Sequence, residues 1–221
     1  MGKKVTALKV QKRNPNRVNV YLDGEFAFGL ARIVAVWLSI GQELSDYKIS
    51  EMRAKDETEV ALQRALNFLS FKPRTEQEVR ENLKKKEVAD SVQDEIISRL
   101  RTNGLLNDEQ FAGMWVENRS EFRPRGGRAL RMELRQKGVA ETTIEKALDG
   151  LNEEPLALNA GLKQARRYRG LEYDEFRKKM YGFLGRRGFS YDIIQSVVPQ
   201  VWAQQEGSQP ENQFSDNEVD P

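Results

Sequence analysis

The chain of 221 residues contains neither cysteine nor histidine. Without cysteine there are no disulfides and no thiolate metal sites. Without histidine the commonest general base and the commonest zinc ligand are missing, and no tight Asp/Glu cluster suggests a metal held by carboxylates alone. Long apolar runs are lacking too. The N-terminus, MGKKVTALKV, has the continuous stretch of neither a signal peptide nor a membrane span. Gly2 begins an M-G-x-x-x-T match to the myristoylation pattern, but Lys3 opens what reads as a strand, so the match is set aside. Serines such as Ser98 and Ser120 have no histidine to activate them. "PRGGR" at 124–128 is rich in glycine, but it lacks the Lys-Ser/Thr end of a P-loop and follows no strand. The expectation is a cytoplasmic protein that is not an enzyme and needs no cofactor.

Charge is what the chain has in quantity: 32% of residues are charged and 38% hydrophobic, for a mean hydropathy of -0.70. The formal net charge of +2 conceals an asymmetry, because QQEGSQPENQFSDNEVDP, from Gln204 onward, holds five acids and no base. The body is therefore strongly basic, and the polar segment 204–221 is expected to be disordered.

Residues 17–30, RVNVYLDGEFAFGL, alternate apolar and polar side chains about Asp23-Gly24, a pair suited to the positive φ angles of a type I′ hairpin turn. With VTALKV at 5–10 as a third strand, this predicts a small antiparallel sheet. ARIVAVWL, ending at Gly41, is expected to form a short helix covering its apolar face. From Ser45 no further strand is expected, and Val60, Leu62, Leu66 and Leu69 recur at helical spacing within 56–69. A repeat then appears. Aligned on Pro73 and Pro124, KPRTEQEVRENLKKKEV lies over RPRGGRALRMELRQKGV, and DEFRKKMYGFLGRRGF aligns by its final glycine. The shared frame is filled by Val79, Leu83, Glu87 and Val88; by Leu130, Leu134, Gly138 and Val139; and by Met180, Leu184, Gly188 and Phe189. Each copy ends on a buried pair: Ile96 with Leu100, Ile144 with Leu148, Ile194 with Val198. A period of roughly 50 residues is that of repeat proteins.

Each copy parses as three helices, with the glycine as the turn after the middle one. Thr75 with Glu78, Ser91 with Asp94, Asn107 with Gln110 and Thr142 with Glu145 all have capping-box spacing. The expected fold is mainly α: an elongated array of three-helix, helix-turn-helix-like repeats behind a small β-hairpin sheet. Its segments are 1–55, 56–106, 107–152, 153–203 and the acidic tail 204–221. Phe111 and Trp115, four residues apart on one helix, read as core rather than a base-stacking platform.

The candidate functional residues are basic. Arg128, Arg131 and Arg135 share one face of the second copy's middle helix, opposite Leu130 and Leu134. Arg123 and Arg125 precede that helix, and Lys137 ends it. Arg166, Arg167, Arg169, Arg186 and Arg187 repeat the theme in the third copy, and Arg74 matches Arg125 in the first. Lys84 to Lys86 suit the carbonyl end of a helix without any partner, whereas Arg125 and Arg128 stand at a positive N-terminal end, where cations are unfavourable. Such a surface suits phosphates or an acidic protein face.

"FLSFKPRTEQEVRENL" and "RLRTNGLLNDEQFAGMWVENRSEFRPRGGRALRMELRQKGV" resemble the RecX family of bacterial recombination regulators. The family pattern is carried by Arg74, Thr75, Glu78 and Val79, then Gly104, Leu106, Asn107, Asp108, Phe111 and Ala112, then Pro124, Gly126, Leu134, Lys137 and Gly138. It covers about residues 57–203 and is specific in combination. Lys72, Val79 and Glu87 depart from the usual arginine, leucine and glycine. The resemblance implies three tandem repeats, acting as a monomer, that lodge in the groove of a RecA filament on single-stranded DNA. There they would restrain RecA ATPase, strand exchange and coprotease activity in DNA repair and the SOS response. The contacts would come from Arg74, Arg123, Arg125, Arg128, Arg131, Arg135, Lys137, Arg186 and Arg187. The other reading is a helix-turn-helix-like module that binds DNA directly.

Overall fold

The computed structural model describes residues 2–206. It divides into two compact units, one up to Asn107 and one from Asp108.

The first unit opens with β1 (Lys3–Gln11), β2 (Asn14–Leu22) and β3 (Glu25–Ala31), followed by α1 (Arg32–Ala35) and β4 (Glu43–Leu44). The antiparallel sheet runs β3-β2-β1-β4. Asp23 and Gly24 take φ of 51° and 92°, as the predicted turn requires. Val18, Val20 and Leu22 alternate into the core with Phe28 and Leu30 of the partner strand. The two-residue β4 was not foreseen; Gly41, at φ 92°, turns the chain back so that Glu43 and Leu44 pair with Lys4 and Lys3.

The segment ARIVAVWL covers the sheet only in part, its Ala35 and Leu38 joining the sheet's core and Val34 packing against it. Only one helical turn forms. Ala35 and Leu38 are buried, while Ile33, Val36 and Trp37 stay 65%, 65% and 86% exposed. The rest of the cover comes from α2 (Asp46–Ser70), whose Ile49 and Met52 join the same core. Ser45 caps this helix by accepting from the Lys48 N–H at 3.2 Å. Asp56, buried on α2, accepts from the Ala31 N–H and from Arg17 Nη2, tying the end of β3 to the helix. A buried carboxylate is stable there because it is both paired and hydrogen-bonded.

Further along, the same helix serves a second core, since Ala61 and Ala65 pack with α3 (Glu76–Lys84) and α4 (Asp90–Thr102). The helix thus runs unbroken through position 55, where the sequence suggested a border. The fully buried positions are these alanines rather than Val60, Leu62, Leu66 or Leu69. Small side chains let α2 approach its neighbours closely, and the leucines flank the contact.

The second unit holds α5 (Asp108–Phe122), α6 (Gly127–Gln136) and α7 (Glu141–Leu148), then α8 (Glu153–Ala165), α9 (Tyr173–Arg186) and α10 (Tyr191–Glu206). Each set of three encloses its own core. The repeat frame is buried as expected: Val79, Leu83, Leu130, Leu134, Met180 and Leu184 are all fully inaccessible. Gly138 and Gly188 turn at φ 76° and 86°, and Glu87 holds the equivalent turn at φ 58° despite its side chain.

Of the capping boxes, Thr75 with Glu78 is present in full, and α5 starts at Asp108, directly after Asn107. Two others are corrected. α4 starts after Ala89 and α7 after Ala140, both extended, so Ser91 and Thr142 lie inside their helices. The chain leaving the positive-φ turn enters the next helix within a few residues, and Asp90 and Glu141 meet the dipole there. Gln93 Nε2 donates to the Val88 carbonyl at 2.8 Å, bracing the entry to α4. At the C-terminus α10 continues to Glu206, so Gln204 to Glu206 are helical rather than disordered. The rest of the acidic tail lies outside the described residues.

Candidate functional site

The family-like stretch P-R-G at 124–126 is a joint between repeats. Pro124 and Gly126 are buried. The Gly126 N–H donates to the Arg187 carbonyl at 3.0 Å, and Arg187 Nη1 donates to the Pro124 carbonyl at 3.1 Å. The backbones touch so closely that a Cβ on Gly126 would strike the Gly188 carbonyl and the Phe189 nitrogen, and one on Gly188 would strike Ala129. Glycine is needed at both positions for that approach.

This joint gathers three of the candidate arginines. Arg187 stacks over the Phe183 ring at 4.6 Å. Its guanidinium is held below its usual pKa by burial first, then by the charges of Arg125 and Arg123. Arg187 is therefore repelled by the other two cations across the joint. Arg125 is partly answered, with Nε 2.8 Å from Glu133 Oε1. Arg123 is exposed, and neither it nor Arg187 meets a carboxylate among the described residues.

Glu133 is the hub of the second repeat. Its Oε2 accepts from Trp115 Nε1 and from Arg119 Nε, each at 2.8 Å. Trp115 stacks on Phe111 with centroids 5.7 Å apart, and Arg119 lies over its ring at 4.4 Å. Trp115 is thus engaged within its repeat, as expected of core. Lys137 lies 5.6 Å from the same ring and is half-buried.

The arginines of the α6 face divide. Arg131 and Arg135 both bond Glu141 of α7, Arg135 Nε at 2.7 Å. The pairing raises the pKa of Arg135 and lowers that of Glu141. Arg128 is exposed and has no ion pair among the described residues. Its place at a helix N-terminus is eased by Glu153, whose carboxylate rests against Gly127. Arg128, Arg131, Arg135 and Glu153 line a cleft of about 490 Å³. Arg186 is exposed beside Lys178 and Lys179. Arg74, in the first unit, turns inward: it sits over the Phe68 ring at 4.1 Å, 3.8 Å from Glu78, with its side chain 18% exposed. The roles of Arg119, Glu141 and Glu153 were not legible in the sequence, because each depends on a contact between helices. Glu133 was visible as the lone acid of its basic stretch.

The chain matches four family models: "Regulatory protein RecX N-terminal domain" over residues 3–45, and the first, second and third three-helix domains of RecX over 61–100, 107–148 and 152–198. It is 35% identical over 204 residues to Regulatory protein RecX of Leuconostoc mesenteroides, covering 90% of this chain and 76% of that protein. The chain belongs to the RecX family. Regulatory protein RecX of Bacillus subtilis is 34% identical over 89% of this chain and 76% of its own length. A crystal structure of regulatory protein RecX superposes with a TM-score of 0.75 at 30% identity, covering 88% of this chain and 98% of that one. The crystal structure of RecX from Lactobacillus salivarius gives 0.62 at 27% identity, over 67% and 99%. Among the described residues no helix is long and apolar enough to cross a membrane.

Proposed function

We propose that this chain binds the RecA filament on single-stranded DNA and restrains its ATPase, strand-exchange and coprotease activities, acting in the cytoplasm as a non-enzymatic regulator in DNA repair and the SOS response. The observation that carries the reading is the set of arginines on the second and third repeats that meet no carboxylate among the described residues. Arg123 and Arg187 at the joint, Arg128 on α6 and Arg186 at the end of α9 hold charge that no described carboxylate neutralises. Clustering like charges is unfavourable unless an anionic partner answers them. Arg131 and Arg135 are already engaged by Glu141 and Arg125 by Glu133, so their contribution is to build the surface rather than to supply its free charge; Arg74, in the first unit, is engaged within its own repeat.

The test is the RecA ATPase rate on single-stranded DNA with increasing amounts of the chain. The parent is expected to depress the rate. The Arg123→Glu/Arg128→Glu/Arg186→Glu variant should need at least about tenfold more protein, because three attractive contacts become repulsive, while its circular dichroism stays unchanged. A folded variant that restrains RecA like the parent places the contact elsewhere. If the chain instead binds single-stranded DNA without RecA, and loses affinity by orders of magnitude between low and physiological salt, direct DNA binding is the better description.

A further inference from the structure

The N-terminal module carries a feature that the repeats do not need. After β3 the chain exposes Ile33, Val36, Trp37 and Ile40 within eight residues, each at least 65% accessible. Contiguous apolar exposure of this kind marks an interaction site more often than a bare surface. Ile33 and Val36 form, with Val60 of α2, the floor of a cleft of about 640 Å³ at the end of the sheet.

The rim of that cleft is cationic. Arg32 and Arg64 stand on it, both exposed, and neither has an ion pair among the described residues. The charges nearby are already committed. Arg17 is held by Asp56 at 2.9 Å, and Glu59, the cleft's carboxylate, is held by Arg99 at 2.6 Å. The free charge is therefore that of two guanidiniums, groups whose planar fork matches a carboxylate. Four carboxamides complete the wall: Asn14, Asn16, Gln63 and Asn67. Gln63 Nε2 donates to Asn67 Oδ1 at 3.1 Å, which leaves the Gln63 carbonyl and the Asn67 NH2 for a bound backbone.

We propose that this cleft docks an extended acidic peptide segment of a partner protein: one large apolar side chain on the Ile33–Val36–Val60 floor, flanking carboxylates on Arg32 and Arg64, and peptide groups on the carboxamides. Nucleic acid fits less well, because the floor is aliphatic and the exposed Trp37 ring lies outside the cleft's lining, so no base stacks within it. A second copy bound about a two-fold axis would bring the same cations face to face. The inference does not depend on the arginines of the second and third repeats.

The test is fluorescence anisotropy of a labelled Asp/Glu-rich octapeptide with one central leucine, titrated with the full chain. Saturable binding is expected. The Arg32→Glu/Arg64→Glu variant should weaken it by about tenfold or more, and leucine-to-asparagine exchange in the peptide by about tenfold. Reversal of Arg123, Arg128 and Arg186 should change it by less than about twofold, which separates this site from the surface proposed to meet RecA. No saturable binding, or a Kd unmoved by the Arg32/Arg64 reversal or by the loss of leucine, overturns the proposal. So does an oligothymidine that displaces the peptide and loses affinity with the same variant, or a sedimentation shift to a dimer that the variant abolishes.

Discussion

Gly126→Ala isolates the joint between the second and third repeats. Residue 126 has φ -75° and ψ 160°, a conformation open to any L-residue, so alanine brings no backbone strain of its own. The whole effect must come from the added methyl, which would land on the Gly188 carbonyl and the Phe189 nitrogen. Relief requires the two backbones to part by about 1 Å, enough to break the bonds from the Gly126 N–H to the Arg187 carbonyl and from Arg187 Nη1 to the Pro124 carbonyl. A neutral hydrogen bond contributes about 1 kcal/mol and one to a charged group about 2, and overpacking adds about 1 to 3 where it cannot relax. The expected loss is about 3 kcal/mol in the unit from Asp108, read by urea denaturation with circular dichroism. Hydrogen exchange should localise it, with the amide of residue 126 losing its protection. Gly188→Ala placed on top of Gly126→Ala should then add only about 1 kcal/mol, the strain of its φ of 86°, because the joint is already open. Gly170→Ala, at φ 78° with nothing near its Cβ, reports that strain alone. A Gly126→Ala loss below about 0.5 kcal/mol would refute the reasoning, since the contact would then be soft.

Glu87→Gly should stabilise the first repeat by about 0.5 kcal/mol: an L-residue at φ 58° costs about 1 to 2 kcal/mol, partly offset by the greater freedom of glycine in the unfolded chain. A lower melting temperature would show that the Glu87 side chain contributes more than its strain. Glu133→Ala should destabilise the second repeat by about 2 kcal/mol, because Arg119 and the Trp115 indole N–H lose one shared acceptor and Arg125 loses its ion pair; unchanged stability and Trp115 fluorescence would remove Glu133 from its central place. Glu51, held by Lys55 and Lys48, titrates at about 2. Its folded pKa lies below the unfolded one, so its contribution is complete above the ordinary carboxylate range and is lost as the pH falls toward 2. An NMR titration should move this midpoint up toward the ordinary value in Lys48→Met/Lys55→Met, and an unmoved midpoint would contradict the pairing.

Local rules made much of this molecule readable from its residues. The hairpin at Asp23-Gly24, the leucines of the repeat frame and the cap at Thr75 depend on neighbours within a few positions, and there propensity and period decide. The family could be recognised for the same reason, since its motif consists of caps, turns and core positions. The candidate surface was only half legible. The arginine positions are plain in the sequence, but whether a cation is free is decided by which carboxylate the fold brings near it. Glu141 answers Arg131 and Arg135 from another helix, and the folding of α5 against α6 brings Arg119 to Glu133. Likewise, one α2 helix spanning two cores, and Ile33 and Val36 turned outward while Ala35 turns in, are matters of packing. Burial is a property of facing surfaces, and a linear pattern states which side chains are apolar without stating which of them will find a partner.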